Sequence, residues 1–138
     1  MKFLQVLLLS FFTTALLAQS ANDIEGTWLT EEKTAYIKIY EKDNKFFGKV
    51  TWLEEPYDED GNPKTDPDGK PVLHMEIMKN FIFEDDEWVD GTIYDAKSGK
   101  TYHGSIEMDG SDKLDLRGSV DSFGLIGRTE TWTRVEGK

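Results

Sequence analysis

The densest chemistry in the chain lies in one stretch, "YDEDGNPKTDPDGKP", Tyr57 to Pro71. Asp58, Asp60, Asn62 and Asp66 place oxygen donors at short spacing between Gly and Pro hinges. Such a donor set suits calcium. An EF-hand, however, needs Gly at its sixth position for a sharp turn and a bidentate acid at its twelfth. Counted from Asp58, those positions hold Pro63 and Gly69, and no helical pattern flanks them. The EF-hand reading fails. A looser calcium site built from Asp58, Asp60, Asn62 and Asp66 is the metal reading left, against a solvated connection rich in turn residues.

Catalytic chemistry is sparse. There is no cysteine, and His74 and His103 stand without metal-ligand spacing. No nucleophile elbow and no Gly-rich phosphate loop occurs. Glu54-Glu55 and Asp85-Asp86-Glu87 read as acids at turns. Neither a catalytic residue nor a cofactor is expected. The side chains suited to hold a ligand are arginines, whose planar fork matches a carboxylate, and aromatics. The candidate set is Trp28, Tyr94, Asp95, Tyr102, Arg117, Arg128, Trp132 and Arg134. If Leu114, Leu116 and Val120 face inward, Arg117 faces outward, toward Asp95 or Glu107. The other reading places it inside on a ligand. Tyr36, Tyr40, Phe46, Phe47, Trp52, Trp88 and Phe123 either line a cavity or pack a core, and the sequence leaves both open.

The chain has 138 residues and a formal charge of −11, from 27 acidic and 16 basic side chains. One domain is the natural expectation. Such acidity argues against nucleic acid and anionic membrane surfaces as partners. At the N-terminus, Lys2 precedes an apolar run from Phe3 to Leu17, and Ala18-Gln-Ser20 fits a small-x-small cleavage pattern. Residues 1–20 read as a signal peptide, with residues 21–138 as the folded domain. The protein is then exported, periplasmic or secreted, with no membrane span after cleavage. With no disulfide available, a packed core must stabilise it.

The elements that position these residues are strands. Ala35, Ile37 and Ile39 alternate with Tyr36, Lys38 and Tyr40, the period-two signature of a sheet. Similar runs are predicted at Gly26–Thr30, Phe46–Glu54, Glu87–Asp95, Thr101–Asp109, Lys113–Val120 and Arg128–Val135. Val72–Asp85 reads as a strand or a bent pair of short pieces. Short turns separate the runs; Asp43-Asn44 suits a tight hairpin. No crossover helix, internal repeat or low-complexity linker is evident. The expected fold is all-β, a single antiparallel eight-stranded up-and-down barrel.

Gly26-Thr27-Trp28 at the head of the first strand resembles the G-x-W signature of lipocalins. There the Trp closes the barrel floor under an arginine from a late strand, and Arg128 and Arg134 are the candidates here. The chain also resembles the DUF2147 family of exported bacterial proteins nearly end to end. "IEGTW", "IKIYEKDNKFFGKVTWLEEP", "GTIYDAKSGKTYHGSI", "LRGSV" and "LIGRTETWTRV" carry that resemblance. It breaks after Asp66, where "PDGKPVLHMEIMKNF" is shorter and different. The resemblance implies a lipocalin-like barrel and no established reaction. The leading expectation is a barrel that binds a small apolar or amphipathic ligand in its interior. The alternative is a non-catalytic structural or interaction module of the cell envelope with a packed core.

Overall fold

In the computed structural model, the structure describes residues 10, 19–121, 124 and 127–137. The expected signal peptide lies outside the described residues except for Ser10, Gln19 and Ser20. So do Phe123 and most of the connection between the last two strands. Among the described residues, eight strands close into one antiparallel barrel. They are β1 (Gly26–Leu29), β2 (Ala35–Lys42), β3 (Lys45–Leu53), β4 (Glu76–Glu84), β5 (Glu87–Asp95), β6 (Lys100–Asp109), β7 (Lys113–Ser119) and β8 (Gly127–Arg134). Each strand pairs with its sequence neighbours, and β8 returns to β1 through Trp28 and Arg134. Closure leaves no unpaired edge. The alternation read in the sequence decides which side chains enter: Ala35, Ile37 and Ile39 are buried, and so are Leu114, Leu116 and Trp132.

Two hairpins turn on an Asp-Asn and an Asp-Asp pair. Asp43 and Asn44 have φ of 54° and 64°, and Asp85 and Asp86 have 51° and 63°. Left-handed angles at both central residues match the twist of the flanking strands, and Asp and Asn tolerate them.

The ambiguous segment is one bent strand. On β4 the inward side chains are Met78 and then Phe81, three residues apart instead of two. On β5, Trp88 and then Gly91 repeat that interval. The extra step falls at Asn80 and Asp90, whose φ values are 62° and 61°. These bulges bend both strands around Phe81. Before β4, Val72–Met75 still follows β3: the Val50 amide donates to the Met75 carbonyl and the His74 amide to the Val50 carbonyl.

At one end a 3-10 turn, Ala21–Ile24, seals the barrel. The sequence pattern missed it because four residues are too few to show a period. Ser20 donates through its amide and hydroxyl to Asp23, which fixes the turn. The indole N–H groups of Trp28 and Trp88 donate to the carbonyls of Ile24 and Ala21. Thus two buried tryptophans tie the turn to the core.

Val120 departs from expectation. It is 62 % exposed, while Ser119 is buried. β7 ends at Ser119, whose hydroxyl donates to the Asp121 carbonyl and turns the chain away. Gly118 takes the last inward place.

Candidate ligand site at the open end of the barrel

The glycines show where the interior is full. A Cβ at Gly91 would lie 2.3 Å from the Phe81 ring, one at Gly104 2.5 Å from it, and one at Gly48 2.6 Å from the Met78 sulfur. Phe81 therefore occupies space that side chains on β5 and β6 would otherwise need. With Phe46, Trp88 and Trp132 it fills the half of the barrel above the 3-10 turn. Gly118 is different. Among the described residues, a Cβ there would meet only the Tyr102 Cβ at 3.7 Å, an ordinary contact.

Gly118 pairs with Gly104 on β6 and Arg128 on β8, so all three share the inner face. Tyr102, Ile93 and Glu130 face the same way. None of these is fully buried. Arg128 is 81 % exposed at its side chain and meets Glu130 at 3.0 Å. Glu130 in turn accepts from the Trp132 indole N–H at 3.4 Å. The end opposite the 3-10 turn thus presents an apolar base beneath an arginine, a carboxylate and a phenol.

Other candidates go elsewhere. Trp28 is buried in the floor, and Arg134 lies over it with the guanidinium 4.3 Å from the ring centroid. The floor arginine is therefore Arg134, and Arg128 stands near the other end of β8. Arg117 pairs with neither Asp95 nor Glu107: its Nε donates to the Gly124 carbonyl at 2.9 Å. Register explains this, because Glu107 stands opposite Asp115, and Asp95 accepts from Lys97 and Ser98 in the β5–β6 turn. The aromatics divide. Tyr36, Tyr40, Phe47 and Trp52 lie on the outer face, across from the buried Ile37, Ile39, Phe46 and Val50.

Tyr94 is also outside. Its hydroxyl donates to Asp66 Oδ2 at 2.7 Å. Beside it, Lys79, Thr92 and Thr101 line a groove of about 290 Å³. The other oxygen of Asp66 accepts the amides of Asp68 and Lys70. Asp58 Oδ1 likewise accepts the amides of Asp60 and Asn62. The long loop is therefore two copies of one turn, Asp58-Glu-Asp-Gly-Asn-Pro63 and Asp66-Pro-Asp-Gly-Lys-Pro71. Each is closed by an isolated bridge, Tyr57 to Pro63 and Thr65 to Pro71. This D-x-D-G-x-P repeat corrects the reading of a chain without repeats; it was visible in the letters. It also explains the aspartates. Asp58 and Asp66 satisfy turn amides, as Asx turns do, and among the described residues no three His, Cys, Asp or Glu side chains gather to hold a metal.

The bond between Tyr94 and Asp66 makes a pH prediction. The Tyr94 hydroxyl, followed by the Lys70 amide, holds the Asp66 carboxyl below its ordinary 3.8. A depressed pKa stabilises the fold above 3.8 and loses that contribution as pH falls through the lower, folded value. The same bond, with burial and the charges of Asp66, Asp68 and Asp95, pushes Tyr94 from 10.0 to about 12. A raised pKa stabilises below 10.0, and the contribution is lost as pH rises through about 12. The second turn should stay docked between these limits and loosen at both extremes. Amide exchange at Asp68 and Lys70 measures it. In Tyr94→Phe, exchange at these amides should rise at neutral pH and show no alkaline step.

A family model described as "Uncharacterized protein conserved in bacteria (DUF2147)" matches residues 26–134, which span all eight strands. The chain belongs to this family. The DUF2147 barrel is similar to a solved structure from Helicobacter pylori, described as "Protein HP1028 from the human pathogen Helicobacter pylori belongs to the lipocalin family". The two are 22 % identical over 82 % of this chain and 83 % of that one, with a TM-score of 0.68. At that identity the likeness speaks for the lipocalin-like fold alone. No curated protein matches.

Proposed function

We propose that this DUF2147 barrel is an exported carrier that takes a small amphipathic molecule at its open end. The contrast among the inner glycines carries the reading. Gly91 and Gly104 face a ring that leaves no room, whereas Gly118, among the described residues, faces space beside Tyr102, Arg128 and Glu130. The apolar part of a ligand would rest on Ile93 and Tyr102. Its polar head would meet Arg128, whose partner among the described residues is the Glu130 carboxylate. The site is shallow, since Phe81 closes the path to the floor. Export rests on the leader-like sequence before Ala21.

The test is titration with cis-parinaric acid, a fluorescent fatty acid, followed by displacement with shorter unlabelled chains. Gly118→Leu fills the space without a backbone clash, so the variant should fold and bind at least about tenfold more weakly, a change of ~1.4 kcal/mol. Equal binding by both proteins would sink the reading. The filled lower half of the barrel favours a second reading, an envelope interaction module with a packed core. Failure of every amphipathic probe to bind, with an envelope protein recovered by pull-down, would establish that one instead.

A further inference from the structure

The outer face of β2 and β3 carries a ladder unlike the rest of the surface. Three direct cross-strand pairs follow one another: Tyr40 with Phe47, Lys38 with Lys49, and Tyr36 with Trp52. The aromatic pairs are in contact, with ring centroids 6.0 Å apart for Tyr40 and Phe47 and 4.5 Å for Tyr36 and Trp52. Trp52 is 39 % exposed. Aromatic pairs across strands stabilise a sheet, and alone they would need no further account. The lysines between them do. Like charges directly opposite destabilise a sheet, and this chain holds 27 acidic residues against 16 basic ones.

Even so, among the described residues neither Lys38 nor Lys49 has a salt bridge. The nearest carboxylate in register, Glu76 on β4, accepts the Tyr40 hydroxyl at 2.6 Å. Lys49 instead lies 5.7 Å from the Tyr40 ring centroid. On the outer face the acids collect along other strands. Glu84, Glu87, Glu107 and Asp115 stand in direct cross-strand register from β4 to β7. There the Glu87 carboxyl is pushed up, first by its hydrogen bond with Glu107. The surface therefore separates an acidic row from a lysine pair held between aromatic pairs.

We propose that this ladder binds a short acidic oligosaccharide. A carboxylate between Lys38 and Lys49 relieves their repulsion and gains charge-assisted hydrogen bonds. Sugar rings have apolar faces, and the aromatic pairs offer matching surface on both sides. On β2 neighbouring rungs are two residues apart, about 6.6–6.8 Å along the strand, while on β3 a register shift puts Trp52 three residues after Lys49, so a ring on each aromatic pair can flank a ring on the lysines. The overall charge of −11 sets the length. A long polyanion would run beyond the ladder into a repelling surface. A second copy offering its acidic row is the competing occupant, but it would join unlike faces in a contact that need not close.

The experiment titrates the full-length mature protein with trigalacturonate and, separately, with the uncharged galactose trimer, reading tryptophan fluorescence and calorimetry. Wild type should bind trigalacturonate at least about tenfold more tightly than the neutral trimer, and raised salt should weaken it. Lys38→Gln with Lys49→Gln removes the like-charge pair, so the fold should persist while trigalacturonate binding falls at least about tenfold. Trp52→Ala should weaken both trimers. Absence of trigalacturonate binding, or binding unchanged by the double variant, overturns the proposal. Concentration-dependent self-association that the double variant abolishes overturns it in favour of the second copy.

Discussion

Phe81→Ala is expected to lower unfolding free energy by about 3–5 kcal/mol, the range for a fully buried aromatic. The ring is wholly buried between Gly91 and Gly104, two positions that lack a side chain to move into the gap. The bulges at Asn80 and Asp90 also fix the two strands around it, so collapse should be limited. A domain this small has about 5–15 kcal/mol in all. Urea unfolding at pH 7 reads the loss directly. A cost under 1 kcal/mol would mean that the ring is not the plug described above. The same variant bears on function. It joins the space beside Gly118 to the centre of the barrel, so parinaric acid, if it enters from that end, should bind Phe81→Ala more tightly than wild type once folded protein is counted.

Much of this barrel is legible in the letters because strands with one buried face must alternate. Ala35, Ile37 and Ile39 announce their inner face, and the acid and Gly turns mark where each strand stops. The legibility ends where the period breaks. Phe81 and Gly91 stand one residue out of phase with Met78 and Trp88, and a sequence pattern carries no phase across a bulge. That loss hides the plug, and with it the difference between an empty barrel and a filled one. Arg117 fails for a related reason. Its direction follows from alternation, but its partner depends on how β6 and β7 are registered and where the chain goes after Ser119. The loop aspartates are the opposite case. Their spacing resembled a metal site, and the physical reason for it was local: each repeat needs one carboxylate to accept two amides of its own turn.

Arg134 closes the floor, and Arg134→Ala should cost about 2–3 kcal/mol from the hydrogen bonds and the ring contact together. Its three nitrogens donate to three carbonyls, Nε to Ser111 at 2.8 Å, Nη1 to Glu25 at 2.8 Å and Nη2 to Asp23 at 2.7 Å. Its plane covers the Trp28 indole. One side chain thereby joins the β6–β7 turn, the 3-10 turn and the head of β1. Backbone carbonyls are its partners, so the contribution should persist in salt, where exposed ion pairs fade. Arg134→Lys separates geometry from charge. An ammonium keeps the attraction to the indole but lacks the planar fork, and it should restore less than half the loss. Gly26 gives an independent handle on the same contact. A Cβ there would fall 2.6 Å from Nη1, at a backbone φ of 134°. Gly26→Ala should therefore destabilise wild type strongly and Arg134→Ala less. The double-mutant cycle should show coupling of at least about 0.5 kcal/mol; additivity would mean that guanidinium and glycine do not share the floor.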